Sequence, residues 1–378
     1  MKKYLIIAVA IVIVGSLLYR AGHNVDTKPI KMGGLFDLTG VTADIGESLK
    51  RGSEIAIEKI NANGGINGRM IEIVYEDATD GAAKPAINGA QKLMNIDKVD
   101  IILDYPYSGL SSIAKTAEQL KIPVLDVIDS SDQIASFGDW VFGVGMYDDG
   151  VGKFVAEFAK NELGAKNVAM LVGKDEYLYA VAGGFEEGFQ SLGGNITRRE
   201  EFLIGENDFR TQLLKLFAKE KPEAIFVSHF GEGGKIIKQA SELGFSGAFL
   251  GSDTFSLADV PRVAGKLLDH RTYFGLWRNF DSQTKEQLEF VELYKQKYGE
   301  EPGDYLFYNV LGYDGVMVAA EALKKTGGDG GEKLKNALYQ TQNHQGLSGP
   351  ISIDQSGINR DTKTMMVMYK DGKIVRYK

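Results

Sequence analysis

The stretch Gly34–Tyr75, GLFDLTGVTADIGESLKRGSEIAIEKINANGGINGRMIEIVY, decides the fold. It begins inside an apolar run, Lys31–Phe36, of strand length. Ile45, Leu49, Gly52, Ala56 and Ile60 then recur at three- and four-residue steps, which predicts a helix with one buried face. Asn63, Gly64 and Gly65 stop that helix, because these residue types tolerate positive φ. Ile71–Tyr75 is a second strand.

The same alternation continues outward. A helix at Ala82–Asn95, a strand at Val99–Leu103, a helix at Gly109–Leu120 and a strand at Val124–Val127 follow. It resumes with helices at Val151–Leu163, Tyr179–Leu192, Asp208–Lys219 and Gly233–Leu243. Strands at Asn167–Val172, Ile196–Phe202, Ala224–Ser228 and Ala248–Leu250 are interleaved with them. Repeated strand–helix units of this size imply an α/β protein with parallel sheets covered by helices on both faces. The last stretch is less regular. Tyr273–Trp277 reads as a crossing strand, Lys285–Tyr298 and Tyr308–Lys325 as helices. The tail reads as a hairpin, Gly349–Asp354 leading to Thr364–Tyr369, then Ile374–Tyr377 after a tight Asp371–Gly372 turn. The first loop has no GxGxxG run, and no GxxxxGK[ST] occurs, so a nucleotide site is not expected.

With 378 residues the chain is long enough for two compact domains. Its formal net charge of −8 and scattered basic residues argue against a nucleic-acid partner. It has no cysteine, which excludes disulfides, thiolate catalysis and thiolate metal sites. Lys2 and Lys3 precede an apolar run from Tyr4 to Tyr19, closed by Arg20. Residues 1–20 are therefore expected to be a signal peptide or an N-terminal membrane anchor, with the body exported. Residues 21–29 form a polar tether.

The opening stretch resembles the leucine/isoleucine/valine-binding protein family of ABC transporters, most specifically in Asn61–Arg69, NANGGINGR. Further matches follow in order: Leu120–Leu125 (LKIPVL), Asn207–Leu213 (NDFRTQL), Glu242–Asp253 (ELGFSGAFLGSD) and Tyr313–Leu323 (YDGVMVAAEAL). The resemblance covers roughly residues 30–378. It implies a type I periplasmic-binding-protein fold: two Rossmann-like α/β lobes, three interlobe crossovers and a ligand cleft between them. Matching positions put 30–147 and 277–348 in one lobe, and 148–276 and 349–378 in the other. The implied function is extracytoplasmic binding of a small amino-acid-like solute by cleft closure, for delivery to an ABC transporter permease whose ATPase acts through that permease. An amide, urea or other small-solute receptor, or a membrane-anchored sensory module, is the alternative.

The resemblance also implies ligand contacts. Ser108 matches the position that meets an α-carboxylate, though as the first polar residue of a helix it also suits a plain cap. Ile128, through its carbonyl, and Ser130, through its hydroxyl, stand at matching positions. Asp126 and Asp129 depart from the family pattern. A carboxylate there would repel a ligand carboxylate, so these residues turn away, cap the next segment or recognise a basic group. Across the cleft Tyr177 and Phe230 match aromatic contacts. Asp253 matches the acid that holds an α-ammonium, since a desolvated amine needs a charged acceptor. Tyr105, Tyr107 and His229 are additional candidate contacts.

Enzyme chemistry is not expected. The four histidines are widely spaced, no HExxH set occurs, and there is no GxSxG elbow. No redox cofactor, ATP site or metal is expected in this subunit.

Overall fold

A computed structural model describes residues 28–40, 42–79, 83–105, 109–218, 221–277, 284–361 and 363–378. The N-terminal apolar run and the candidate contacts Tyr107 and Ser108 lie outside the described residues.

The chain begins with strands β1 (Ile30–Phe36), β2 (Ile71–Asp77), β3 (Ile101–Asp104), β4 (Val124–Asp126), β5 (Asp129–Ser130), β6 (Val141–Gly143) and β7 (Met146–Tyr147). Five of these form a parallel sheet in the order β2-β1-β3-β4-β6, while β5 and β7 make a separate short parallel ladder. Strands β8 (Asn167–Gly173), β9 (Asn195–Phe202), β10 (Ala224–Ser228), β11 (Ala248–Gly251) and β12 (Thr272–Leu276) follow. After the short pair β13 (His344–Gln345) and β14 (Pro350–Ile351) come β15 (Met365–Lys370) and β16 (Lys373–Arg376). The second sheet runs β16-β15-β12-β11-β10-β8-β9, parallel from β12 to β9 and antiparallel at the β15 and β16 edge. This is the expected two-lobed α/β architecture with helices between the strands.

The segment that decides the fold behaves as its pattern dictates. Helix Ala43–Ala62 buries Leu49, Gly52, Ala56 and Ile60 and ends at Asn63. Gly64 and Gly65 take φ of 89° and 71°, and the Gly65 N–H returns to the Ile60 carbonyl at 3.0 Å. Asn61 then exchanges two hydrogen bonds with the backbone of Ile71, which pins the start of β2 to the end of the helix. Arg69 donates to the carbonyls of Lys28 and Gly328, both at 2.7 Å. NANGGINGR is thus a lock between helix, strand and neighbouring loop, which makes it a signature of fold.

The same helix packs against helix Leu306–Lys325 backbone to backbone. A Cβ on Gly52 would fall 1.7 Å from the Asn309 carbonyl oxygen, and one on Gly312 would fall 2.1 Å from that of Leu49. Only hydrogen fits at the crossing. Glycine on both helices therefore stands where a larger residue would hold them apart. The tail turn is also as expected: Asp371 and Gly372 have φ of 52° and 73°, the pairing of positive values that suits a two-residue hairpin.

Two local expectations differ. Gly349–Asp354 does not pair with the tail; β14 pairs instead with β13. The third passage between lobes was expected at residues 348–349. Hydrogen bonds hold the following segment beside the first sheet: Gly143 N–H to Gly357 O at 3.1 Å and Asn359 N–H to Gly143 O at 2.8 Å. The chain enters the second sheet only at Met365. Unpaired edge backbone on β6 attracts this segment, and a short apolar run carries no signal for which edge it will satisfy.

Candidate functional site

In a parallel sheet the strand carboxyl ends form the natural binding edge. Here β3 and β4 both end in aspartate, and Asp104 and Asp126 stand opposite one another in the register. Both are fully buried. Asp126 Oδ1 accepts the N–H groups of Ile128 (3.1 Å) and Asp129 (2.8 Å), so one oxygen caps its own turn. Its Oδ2, and both oxygens of Asp104, have no donor among the described residues. Burial pushes the carboxyls of Asp104, Asp126 and Asp129 well above the usual range, and repulsion from neighbouring aspartates adds to it. Asp37, just beyond β1, accepts the Thr42 hydroxyl at 2.7 Å and acts on both Asp104 and the half-buried Tyr105.

The passage between lobes supplies the next layer. The Ile128 carbonyl accepts the Met146 N–H at 2.7 Å, and the Ser130 hydroxyl donates to the Asn359 carbonyl at 2.7 Å. Both groups are engaged in fastening the crossing segments together. Asp148 opens the helix Asp148–Asn161, is fully buried, and finds no donor for either oxygen among the described residues. Burial raises its pKa first; the repulsions then come from Asp129, Asp149, Asp126 and Asp253, from both lobes. Asp148 therefore lies where the two halves face each other.

The second lobe completes the arrangement. Asp175 caps the helix Glu176–Ser191 by accepting the Tyr177 and Leu178 N–H groups, which fixes the start of that helix. The buried Tyr177 hydroxyl donates to Asp253 Oδ1 at 2.8 Å and lies 3.3 Å from Ser252 Oγ. Asp253 follows β11 in a short 3-10 turn. Phe230, about a third exposed, stacks on Tyr177 at 5.9 Å between centroids. Trp277, where the chain leaves β12, meets Tyr177 edge-on at 6.3 Å and stacks on Phe307 of the first lobe. An aromatic row thus crosses from one lobe to the other. His229 packs its ring against Phe255 and beside Gly233, inside the second lobe. Burial lowers its pKa to about 4, so it is neutral.

The structure brings Tyr177, Phe230 and Asp253 together, and sets Asp129 within electrostatic reach of Asp253 and Asp175. The Ile128 carbonyl and the Ser130 hydroxyl each hold a partner on the crossing segments, and the His229 ring packs inside the second lobe. Sequence reasoning did not single out the buried Asp104 and Asp148 or Trp277, which meets Tyr177. A signal for the first was present: Ile101–Asp104 (IILD) and Pro123–Asp126 (PVLD) end two buried strands with the same Leu-Asp pair. Among the described residues no three carboxylates and histidines converge to hold a metal ion.

Polar and aromatic groups from two hinged α/β lobes, aimed at one shared interior, define a cleft-type solute receptor. A periplasmic binding protein family model matches residues 29–373, and the chain belongs to that family. It is therefore a binding protein of the extracytoplasmic type that serves ABC transporters. A Leu/Ile/Val-binding protein homolog of Brucella abortus is 27% identical over 94% of this chain and 93% of its own length. A leucine-binding protein of Thermotoga maritima has 27% identity and a TM-score of 0.78, covering 92% of this chain and 98% of that one. A branched-chain amino acid transporter substrate-binding protein of Streptococcus pneumoniae, solved with isoleucine, has 26% identity and a TM-score of 0.76. That match covers 92% of this chain and 97% of that one.

Proposed function

We propose that this protein captures a small amine-bearing, amino-acid-like solute between its lobes and presents the closed form to an ABC transporter permease. The observation that carries this reading is the Tyr177–Asp253 pair, a buried carboxylate held in place from its own lobe and within electrostatic reach of Asp129 of the other lobe. A buried ammonium needs such an acceptor, because burying it unpaired costs several kcal/mol. In this reading the second lobe supplies Tyr177, Phe230 and Asp253 and the first lobe the remaining contacts, so ligand contact is complete only on closure, and binding shifts the open–closed population. The amino-acid ligands named for the related proteins from Thermotoga and Streptococcus support the same class. In this reading Ser108 meets the polar head of the solute from the first lobe, and residues 1–20 direct the body to the outer face of the membrane.

The test combines calorimetry against a panel of amino acids, amides and aromatic acids with small-angle scattering of the full chain. The expected result is saturable binding of an amine-bearing solute with a decrease in radius of gyration. Asp253→Asn should weaken an ammonium ligand more than a neutral amide. Equal losses for both, or closure only with solutes that lack an amine, would refute the assignment.

A further inference from the structure

The first and third passages between the lobes run side by side. Gly143 pairs with Gly357 and Asn359 through its backbone, the Ser130 hydroxyl donates to the Asn359 carbonyl, and Asn359 Nδ2 reaches the Gly145 carbonyl at 3.2 Å. The last tie along this stretch is Arg360. Its guanidinium donates to the Tyr147 hydroxyl and lies over the Tyr147 ring, 4.8 Å from the centroid. The same fork reaches Asp132 Oδ1 at 2.6 Å and Asp354 Oδ2 at 2.8 Å. Tyr147, itself buried, donates to Asp132 Oδ2 at 3.1 Å. The Asp132 N–H donates to Asp149 Oδ2 at 3.0 Å, so the first turn of helix Asp148–Asn161 is tied to the same group. Beyond Tyr147 and Arg360 the two chains part: Asp148 opens that helix, and Met365 enters the second sheet.

A second feature lies at the same place. A surface cavity of about 220 Å³ is lined by Tyr147 and Arg360, by Gly150 and Phe154 of the helix, and by Thr364 beside β15. Protein interiors are close-packed, so a gap between an anchored pair and the elements that adjoin it leaves those elements room to turn. Joining two chains at a pivot removes the freedom of each to swing alone. That loss falls on the open form, because the closed form is already fixed by contacts such as Trp277 on Phe307.

We propose that Arg360 and Tyr147 form a yoke that makes the first and third passages turn as one, and that the yoke favours the closed form by restricting the open one. Arg360 is a positioning residue here: it acts through the passages and not on the solute. The side chains of Arg360, Asp132 and Asp354 are 39%, 49% and 36% exposed, so dissolved salt weakens the yoke and closure becomes sensitive to ionic strength.

The experiment is small-angle scattering of the full chain without added solute, at about 50 mM and about 500 mM sodium chloride. Its outcome is therefore independent of which solute binds. A compact chain of this length has a radius of gyration of about 21 Å, and Arg360→Gln should enlarge the measured value by roughly 0.5 Å at the lower salt. The higher salt should move the wild-type radius toward that of the variant and leave the variant unchanged. Tyr147→Phe keeps the ring and removes the hydroxyl, and it should give an intermediate radius. Melting curves check that each variant is folded; with two sites, misfolding of one does not remove the test. Equal radii for the wild type and the folded variants, a smaller radius in Arg360→Gln, or the same salt response in all of them overturns the yoke.

Discussion

Replacing Asp104 by Asn removes one charge from a buried row and keeps the shape of the side chain. Neighbouring strands lie about 4.8 Å apart, so the facing carboxylates of Asp104 and Asp126 are roughly 5 Å from each other. At an effective dielectric constant near 20, two unit charges at that distance repel by about 3 kcal/mol. The fold avoids part of that repulsion by retaining protons, which is why burial, followed by Asp37 and Asp129, drives the Asp104 carboxyl well above its ordinary range. The sign follows from linkage. An acid with a raised folded-state pKa binds more protons folded than unfolded, so stability falls as pH rises from the unfolded value, about 4, toward the raised one. Asp104→Asn should remove that loss. We expect it to stabilise the protein without added solute by about 2 kcal/mol at pH 7, a rise in melting temperature of roughly 4 °C, and by almost nothing at pH 4. Thermal melts of the full chain at pH 4, 5.5, 7 and 8 read the difference directly. The groups facing Asp104 are Asp37 beyond β1, Asp126 on β4 and Asp129 on β5, so the slope belongs to the row as a whole. A mutant less stable at pH 7, or a gain that is the same at every pH, would show that Asp104 is not an unneutralised acid and would remove the basis of the calculation.

Tyr177→Phe deletes the hydroxyl that donates to Asp253 at 2.8 Å, and it should weaken an amine ligand by about 2 kcal/mol, roughly thirtyfold in calorimetry, with little change in neutral-solute binding. Gly52→Ala places a methyl group 1.7 Å from the Asn309 carbonyl and should force the two helices apart, lowering stability in urea by about 3 kcal/mol. Asn359→Ala removes the bond from Asn359 Nδ2 to the Gly145 carbonyl at 3.2 Å and the acceptor Oδ1 that holds the N–H groups of Ser352 and Asp361, and should cost about 2–3 kcal/mol in stability. The same change should alter the closure-linked change in scattering, since it touches the crossing segments directly.

The fold was legible because local and global signals agreed. Ile45, Leu49, Gly52, Ala56 and Ile60 carry the helical period, and Asn63-Gly64-Gly65 stop it where positive φ is required. Asp371-Gly372 fixed the tail turn in the same way. The site was only partly legible. Tyr177 and Asp253 follow strands of the second lobe, where binding edges are expected, and the structure joins them. Ile128 and Ser130 follow a strand equally well, and each also holds a partner far along the chain, Met146 and Asn359. Periodicity does not encode which long-range partner reaches a backbone group first. Asp148 was invisible for a related reason: as the first residue of a helix it suits an ordinary acidic N-terminus. What makes it unusual is the lobe that covers it, which belongs to another part of the chain.

The acids also bear on how closure is controlled. Asp129 acts on Asp253 from the other lobe, so bringing the lobes together sets these two acidic groups against each other and opposes the closed form. Moving such a two-state equilibrium from 1:99 to 99:1 requires about 5.5 kcal/mol of differential binding. One ammonium against a carboxylate at 4 Å supplies about 4 kcal/mol at an effective dielectric constant of 20, before desolvation is subtracted. In the proposed reading an amine therefore supplies much of the free energy that closure needs, whereas a solute without one can enter the open cleft without closing it, and a permease that recognises the closed form would not receive it.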